Sequence, residues 1–293
     1  MTSGIDHLPL SDHKTPSRSA EVTLPLDAPV EDVWRALTDA KALVNWFPTD
    51  AAVDARPGGS FVISWEGQWQ WDMTVTDCEP LRRLRMLDRA ARPFDANGHP
   101  LEQAAPVELA LEITLEPRDG GGTVLRLVHS GFGHGAMWDD DLDGVTLGWN
   151  VELRALRHYL AHHRGRSRCT AHVHATSTRP LAELWDGLTA ASGLIASGHR
   201  PDFTEGDPCA LRLTTGDTVT GRVAFARRGR QLLVTADELG DGLFRLSLDR
   251  AAGEAMVQVW VSTWTEAGDR ARSLVDRIRP LFDRTVAPRS PIP

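Results

Sequence analysis

The sequence predicts an α+β protein built from two tandem units. Each unit is a curved antiparallel sheet wrapped on a long C-terminal helix. Three observations carry this reading. A strand-then-helix phrase occurs twice, period-two alternation follows it in both halves, and an apolar helical stripe closes each half.

The repeat is visible at an offset of 151 positions, from Val22 to Val173. At that offset Pro29, Trp34, Leu37, Thr38, Ala40 and Leu43 fall on Pro180, Trp185, Leu188, Thr189, Ala191 and Leu194. Each copy opens with a strand-like run, EVTLPL (21–26) or AHVHAT (171–176). A helix follows in each. Val30, Val33, Trp34 and Leu37 share one face at i, i+3, i+4 and i+7, and Leu181, Leu184, Trp185 and Leu188 repeat the spacing. Asp27 and Thr178 are the expected N-caps, each two residues before a proline that the first turn tolerates.

The first half then turns to strand period. FVISW (61–65) puts Phe61, Ile63 and Trp65 on one face, and WQWDMTV (69–75) does the same for Trp69, Trp71, Met73 and Val75. VELALEITLE (107–116) alternates in the same way, PRDGGG (117–122) is a turn, and TVLRLVHS (123–130) is the next strand. Trp149, Leu153, Leu156 and Leu160 form the stripe of a long helix beginning near Gly148. The second half repeats this order in fewer residues. Its strands are 209–215, 218–226, 230–236, 242–249 and 256–264, and its closing helix is 269–282. The expected division is a flexible lead (1–18), a first domain (19–165), a shorter diverged second domain (168–285) and a flexible tail (286–293).

At this point the first half resembles a known family. APVEDVWRALTDAKALVNWF (28–47), PGGSFVISW (57–65) and GGTVLRLVHSGF (121–132) are similar to the heat-shock protein 90 ATPase activator homologue-like branch of the START-like, or SRPBCC, superfamily. The resemblance implies two helix-grip (Bet v-like) domains. It implies a cavity for apolar small molecules between sheet and helix. It also implies a chaperone or other protein as an alternative partner. The chain departs from the family where Asp143-Gly144 is separated from Gly148-Trp149, and its second half lacks a counterpart of HSGFGHGAMW.

Composition narrows the functional classes. With 32 basic against 40 acidic residues the net charge is -8, which argues against a nucleic-acid partner. The arginine-rich, lysine-poor usage reads as the codon bias of a GC-rich, bacterial genome. Three widely spaced cysteines suit a reducing cytoplasm better than a disulfide framework. No signal peptide or membrane insertion is expected.

Seven of the ten tryptophans lie in the first half. The expected cavity lining is Trp46, Phe61, Ile63, Trp65, Trp69, Trp71, Met73, Leu125, Leu127, His129, Phe132, Trp138 and Trp149. His129 shares a strand face with Leu125 and Leu127. It reads either as a polar group in the cavity or as a core histidine bonded internally. DDDLDGVTLGWN (139–150) imitates a calcium loop, but Asn150 stands where a bidentate Glu is required, so a solvated acidic loop is expected. Cys169, His172 and His174, and the i, i+4 pair His158 and His162, have chelating spacing without a fixed third ligand. No metal, cofactor or catalytic residue is assigned.

The expected function is non-enzymatic binding of a hydrophobic lipid, polyketide or aromatic metabolite in the first-domain cavity. The alternatives are a co-chaperone acting on a heat-shock protein 90 type ATPase and a cyclase/aromatase-like enzyme in which His129 acts. The second domain is expected to be structural or a dimerisation partner, with a tight core and no large pocket.

Overall fold

The computed structural model describes residues 18–65 and 69–286. Most of the expected flexible lead and tail, and the side chain of Trp69, lie outside the described residues.

Each half folds into a seven-stranded antiparallel sheet. The first comprises β1 (Arg18–Leu26), β2 (Asp50–Val53), β3 (Ser60–Trp65), β4 (Trp69–Glu79), β5 (Arg83–Ala91), β6 (Val107–Pro117) and β7 (Thr123–Phe132). Helices α1 (Val30–Thr38) and α2 (Ala40–Leu43) join β1 to β2, and α3 (Ala136–His158) follows β7. The second comprises β8 (Cys169–Ser177), β9 (Ile195–Ser197), β10 (Pro208–Leu213), β11 (Thr218–Arg227), β12 (Gln231–Ala236), β13 (Gly242–Ala251) and β14 (Glu254–Thr263). Helix α4 (Leu181–Thr189) follows β8, and α5 (Gly268–Val286) closes the half. The strand orders are β1-β7-β6-β5-β4-β3-β2 and β8-β14-β13-β12-β11-β10-β9, the same path traced twice.

The 151-residue offset carries β1 onto β8 and α1 onto α4, end for end. The repeated Trp and Thr have a common local cause. Thr38 donates its hydroxyl to the Trp34 carbonyl at 2.8 Å, and Thr189 does the same to Trp185 at 2.9 Å. Both close the last turn of their helix through an i−4 carbonyl. Neither helix has a side-chain cap. The N-cap positions are Pro29 and Pro180, so Asp27 and Thr178 lie outside the helices they were expected to cap. Proline at this position already has the extended ψ and fixed φ that an entering chain needs, and it has no N–H to satisfy.

Strands β2, β5 and β9 were not among the expected strands, and α3 starts earlier than expected. Strand β5 (RLRMLDRAA) alternates only over its first four residues; Leu87 follows Met86 as a second buried apolar residue, and a register shift between Asp88 and Ala91 breaks the period. Helix α3 begins at Ala136, twelve residues before Gly148, so the 139–150 segment is helix and not a loop. Successive aspartates at 139, 141 and 143 therefore point about 200° apart around the axis and cannot converge on one ion. Asp139 pairs with Arg18 and Asp143 with Arg230 instead.

Helix α3 is the centre of the molecule. Trp149, Leu153, Leu156 and, in the following π-helical turn (Tyr159–His163), Leu160 pack with the first sheet. On its opposite side lies the outer face of the second sheet, and Leu233, Leu243 and Trp264 join the first-domain core. The second domain keeps its own aliphatic core on the other face of that sheet. There Leu246, Leu248, Val257, Val259 and Val261 meet Leu274, Ile278 and Phe282 of α5.

Candidate functional site

The end of α2 turns Trp46 and Phe47 into the first domain. Trp46 is fixed by donation from Nε1 to the Ala36 carbonyl at 2.8 Å. Phe47 is the hub of an aromatic cluster, with ring centroids 5.2 Å from Trp46, 5.2 Å from Trp65, 6.4 Å from Trp71 and 5.1 Å from Trp149. Antiparallel register places Ile63 opposite Trp71 and Phe61 opposite Met73, so one face of β3 and β4 carries this cluster. Large rigid rings meeting edge to face leave space that branched aliphatic chains would fill.

That space is a cavity of about 240 Å³ with walls from both domains. Trp46, Phe47, Trp65, Trp71 and Trp149 form the aromatic wall. Gly144 and Gly148 of α3 leave its floor open, and a methyl group added at Gly148 would meet nothing within 4 Å. The second domain supplies the opposite wall from the outward positions of β13 and β14, namely Leu243, Arg245, Asp249, Met256, Gln258 and Trp260. The cavity expected within the first domain is thus shared between the two. The second domain, expected to be a structural partner, contributes its polar side.

Charge reaches the cavity from both domains, from Asp140, Asp141 and Glu152 of α3 and from Arg245, Asp249 and Arg250 of β13. Arg245 bonds Glu152 of α3 at 2.6 Å. Burial raises the Glu152 carboxyl above its ordinary range, and Arg245 and Arg168 pull it back. Arg168 donates to the carbonyl of Pro48 at 2.6 Å and of Phe47 at 3.2 Å, and burial brings its guanidinium down to about 10. Burial also raises Asp249, against Arg245 and Arg230. Asp141 borders the cavity, and desolvation pushes its carboxyl up to about 7. Carboxylates shifted this way inside a cleft mark candidate functional sites.

The expected lining residues separate into three groups. Trp46, Trp65, Trp71 and Trp149 border the cavity. Phe61, Ile63, Met73, Leu125 and Leu127 are buried in the core beneath it. His129, Phe132 and Trp138 form a further aromatic chain, with centroids 5.0 Å apart for the first pair and 6.3 Å for the second. His129 accepts from the Trp149 indole Nε1 at 3.3 Å through Nδ1, and burial lowers its pKa to about 4. It is a neutral, internally bonded histidine that orients a wall residue. Phe47 was missed although it adjoins Trp46. The polar wall was missed because its residues look like the wet side of an ordinary strand.

Two sheets of one topology, each closed by a C-terminal helix, make this a tandem helix-grip protein. Residues 27–161 match the family model described as activator of Hsp90 ATPase homolog 1-like protein. Among solved structures, one Mesorhizobium loti protein is 25% identical over 49% of this chain and 97% of its own, with a TM-score of 0.42. Two others cover both halves. DynU16, a protein in the dynemicin biosynthetic locus, is 17% identical over 92% of this chain and 95% of its own (TM-score 0.40). The di-domain ARO/CYC BexL from the BE-7585A biosynthetic pathway is 16% identical over 92% and 96% (TM-score 0.41). No curated protein matches.

Proposed function

We propose that the protein binds a compact aromatic small molecule, of the polyketide or aromatic-metabolite kind, in the cavity between its domains. The observation that carries this reading is the opposition of an aromatic wall to a charged wall around about 240 Å³. Flat rings stack against Trp65, Trp71 and Phe47, while hydroxyl or carbonyl groups reach Arg245, Asp249 and Gln258. The volume lies just below the roughly 300–1,000 Å³ of common ligand sites, which favours two or three fused rings over a long acyl chain. Native mass spectrometry of the purified chain tests this. A retained small molecule, or a one-to-one adduct with added 1-naphthol accompanied by a change in Trp emission, supports it. The absence of any adduct at millimolar naphthol rejects it.

A second reading, acid–base catalysis of the cyclase/aromatase kind, is favoured by Asp141, whose carboxyl near 7 suits proton transfer at neutral pH. His129 suits it less, since burial lowers its pKa to about 4 and its Nδ1 accepts from Trp149. Turnover that survives Asp141→Asn would dismiss this role. The co-chaperone alternative rests on the family's description alone.

A further inference from the structure

The C-terminal end of α3 meets the second domain at a cluster that the cavity does not use. The helix widens there into a π-helical turn over Tyr159–His163. At α-helical spacing, positions 158 and 163 would point about 140° apart. A π turn closes in five residues and stacks them. His158, His162 and His163 consequently face one side, toward Asp241 in the loop before β13. Gly240 and Asp241 are consecutive left-handed residues, with φ of 66° and 58°. Among non-glycine residues, Asp and Asn adopt that conformation most readily. The loop holds it while aiming both the carbonyl and the carboxylate of Asp241 at the histidines.

The distances suit a metal ion. His158 Nε2 lies 3.8 Å from one Asp241 oxygen and His162 Nδ1 lies 3.4 Å from the other. The three donor atoms all fall within 4.8 Å of one another. A tetrahedral ion with bonds of roughly 2.0–2.1 Å places its ligands about 3.3 Å apart, so small side-chain rotations suffice. His162 and Asp241 are partly exposed, with side-chain accessibilities of 55% and 41%, which gives an ion a way in. His163 is buried, stacked on Trp264 with centroids 4.6 Å apart, and donates from Nε2 to the Asp241 carbonyl at 2.7 Å. Its buried Nδ1 has no hydrogen-bond partner. His158 makes the same bond at 2.7 Å. To ligate, it releases that bond and moves its proton from Nε2 to Nδ1, leaving His163 to hold the loop.

We infer that His158, His162 and Asp241 form an interdomain site for a divalent transition-metal ion, with zinc the best match. Two imidazoles at i, i+4 and one carboxylate are a borderline-soft set that leaves a fourth position for water. Two ligands come from the first domain and one from the second, so the ion clasps the domains together. The site is separate from the cavity, and its failure would leave the ligand-binding proposal untouched.

The test uses the full, untagged chain after chelator treatment. Co²⁺ and then Zn²⁺ are titrated into wild type, His162→Ala and Asp241→Asn. Asn tolerates the left-handed conformation as Asp does, and residue 162 is exposed, so both variants keep the fold. The expected result is one ion per wild-type chain, with visible absorption bands of four- or five-coordinate cobalt. Affinity should fall by at least about 100-fold in each variant, at or beyond the upper end for loss of a residue that only orients a ligand. Zinc should raise the Tm of wild type and of neither variant. Equal affinity in all three proteins, or no stoichiometric binding to wild type, would overturn the proposal.

Discussion

The two domains trace one strand path and begin with the same helix, yet they close their cores differently. In the second domain, Leu246, Leu248, Val257, Val259 and Val261 mesh with α5, and Phe244 and Phe282 are fully buried. In the first, the matching strands β6 and β7 meet α3 through aliphatic chains too (Leu111, Ile113, Leu125, Leu127), and the difference lies over β3 and β4, where Phe47, Trp65, Trp71 and Trp149 tilt against each other beside a cavity. Branched aliphatic chains fill a curved sheet, whereas indoles buttress it and leave room. A further difference lies on the outer faces. The second sheet buries Gln231, Ser247, Asp249 and Gln258 on the side toward α3, because that side is an interface. The repeated fold thus sets an aromatic face of one half against a polar face of the other.

Substitutions can break this contrast. The largest effect is expected for Phe244→Ala, which opens a void in the filled core and should cost about 3–5 kcal/mol in urea unfolding. Trp65→Ala, beside space already open, should cost less than half as much, and equal losses would refute the difference between the cores. Arg245→Met leaves Glu152 without its partner. A loss of about 2 kcal/mol is expected, below the 3–5 of fully buried pairs because both side chains keep some solvent contact. Glu152→Gln in the same protein should restore most of it, as a double-mutant cycle would show.

A smaller effect is confined to a pH window. The Asp141 carboxyl rises from 3.8 to about 7 on folding, so the folded state holds the extra proton between those values. Stability contributed by the neutral acid is therefore lost as pH rises from about 4 to 7. His129, lowered from 6.5 to about 4, acts in the opposite sense and is common to both proteins compared. Asp141→Asn should accordingly gain stability relative to wild type across that window, and parallel denaturation profiles would disprove the shift. The smallest effect is Gly148→Ala, expected to add up to about 1 kcal/mol of helix stability, since its methyl meets no neighbour.

The repeat was legible because its cause is local. A strand, a proline and an amphipathic turn recur with their hydrogen bonds, so the fold could be read twice. Residues such as Trp46 and Trp149 were legible as wall candidates because aromatic side chains on apolar faces have few other uses. The polar wall was not, since Arg245, Asp249 and Gln258 alternate with core residues as any exposed strand residues do. Only the docking of α3 turns that wet face inward. The start of α3 was hidden by its aspartates, and Asp241 lies 79 residues beyond His162, a proximity no spacing rule encodes.

The central claim is that the space between the domains is a binding site, and filling it tests that most directly. Gly148→Phe projects a ring from the floor of the cavity into open space. Titration of 1-naphthol, followed by Trp emission, should give single-site binding to wild type and at least tenfold weaker binding to the variant, a difference of about 1.4 kcal/mol. The variant's Tm should hold steady or rise. Undiminished binding to a folded Gly148→Phe protein would contradict the account.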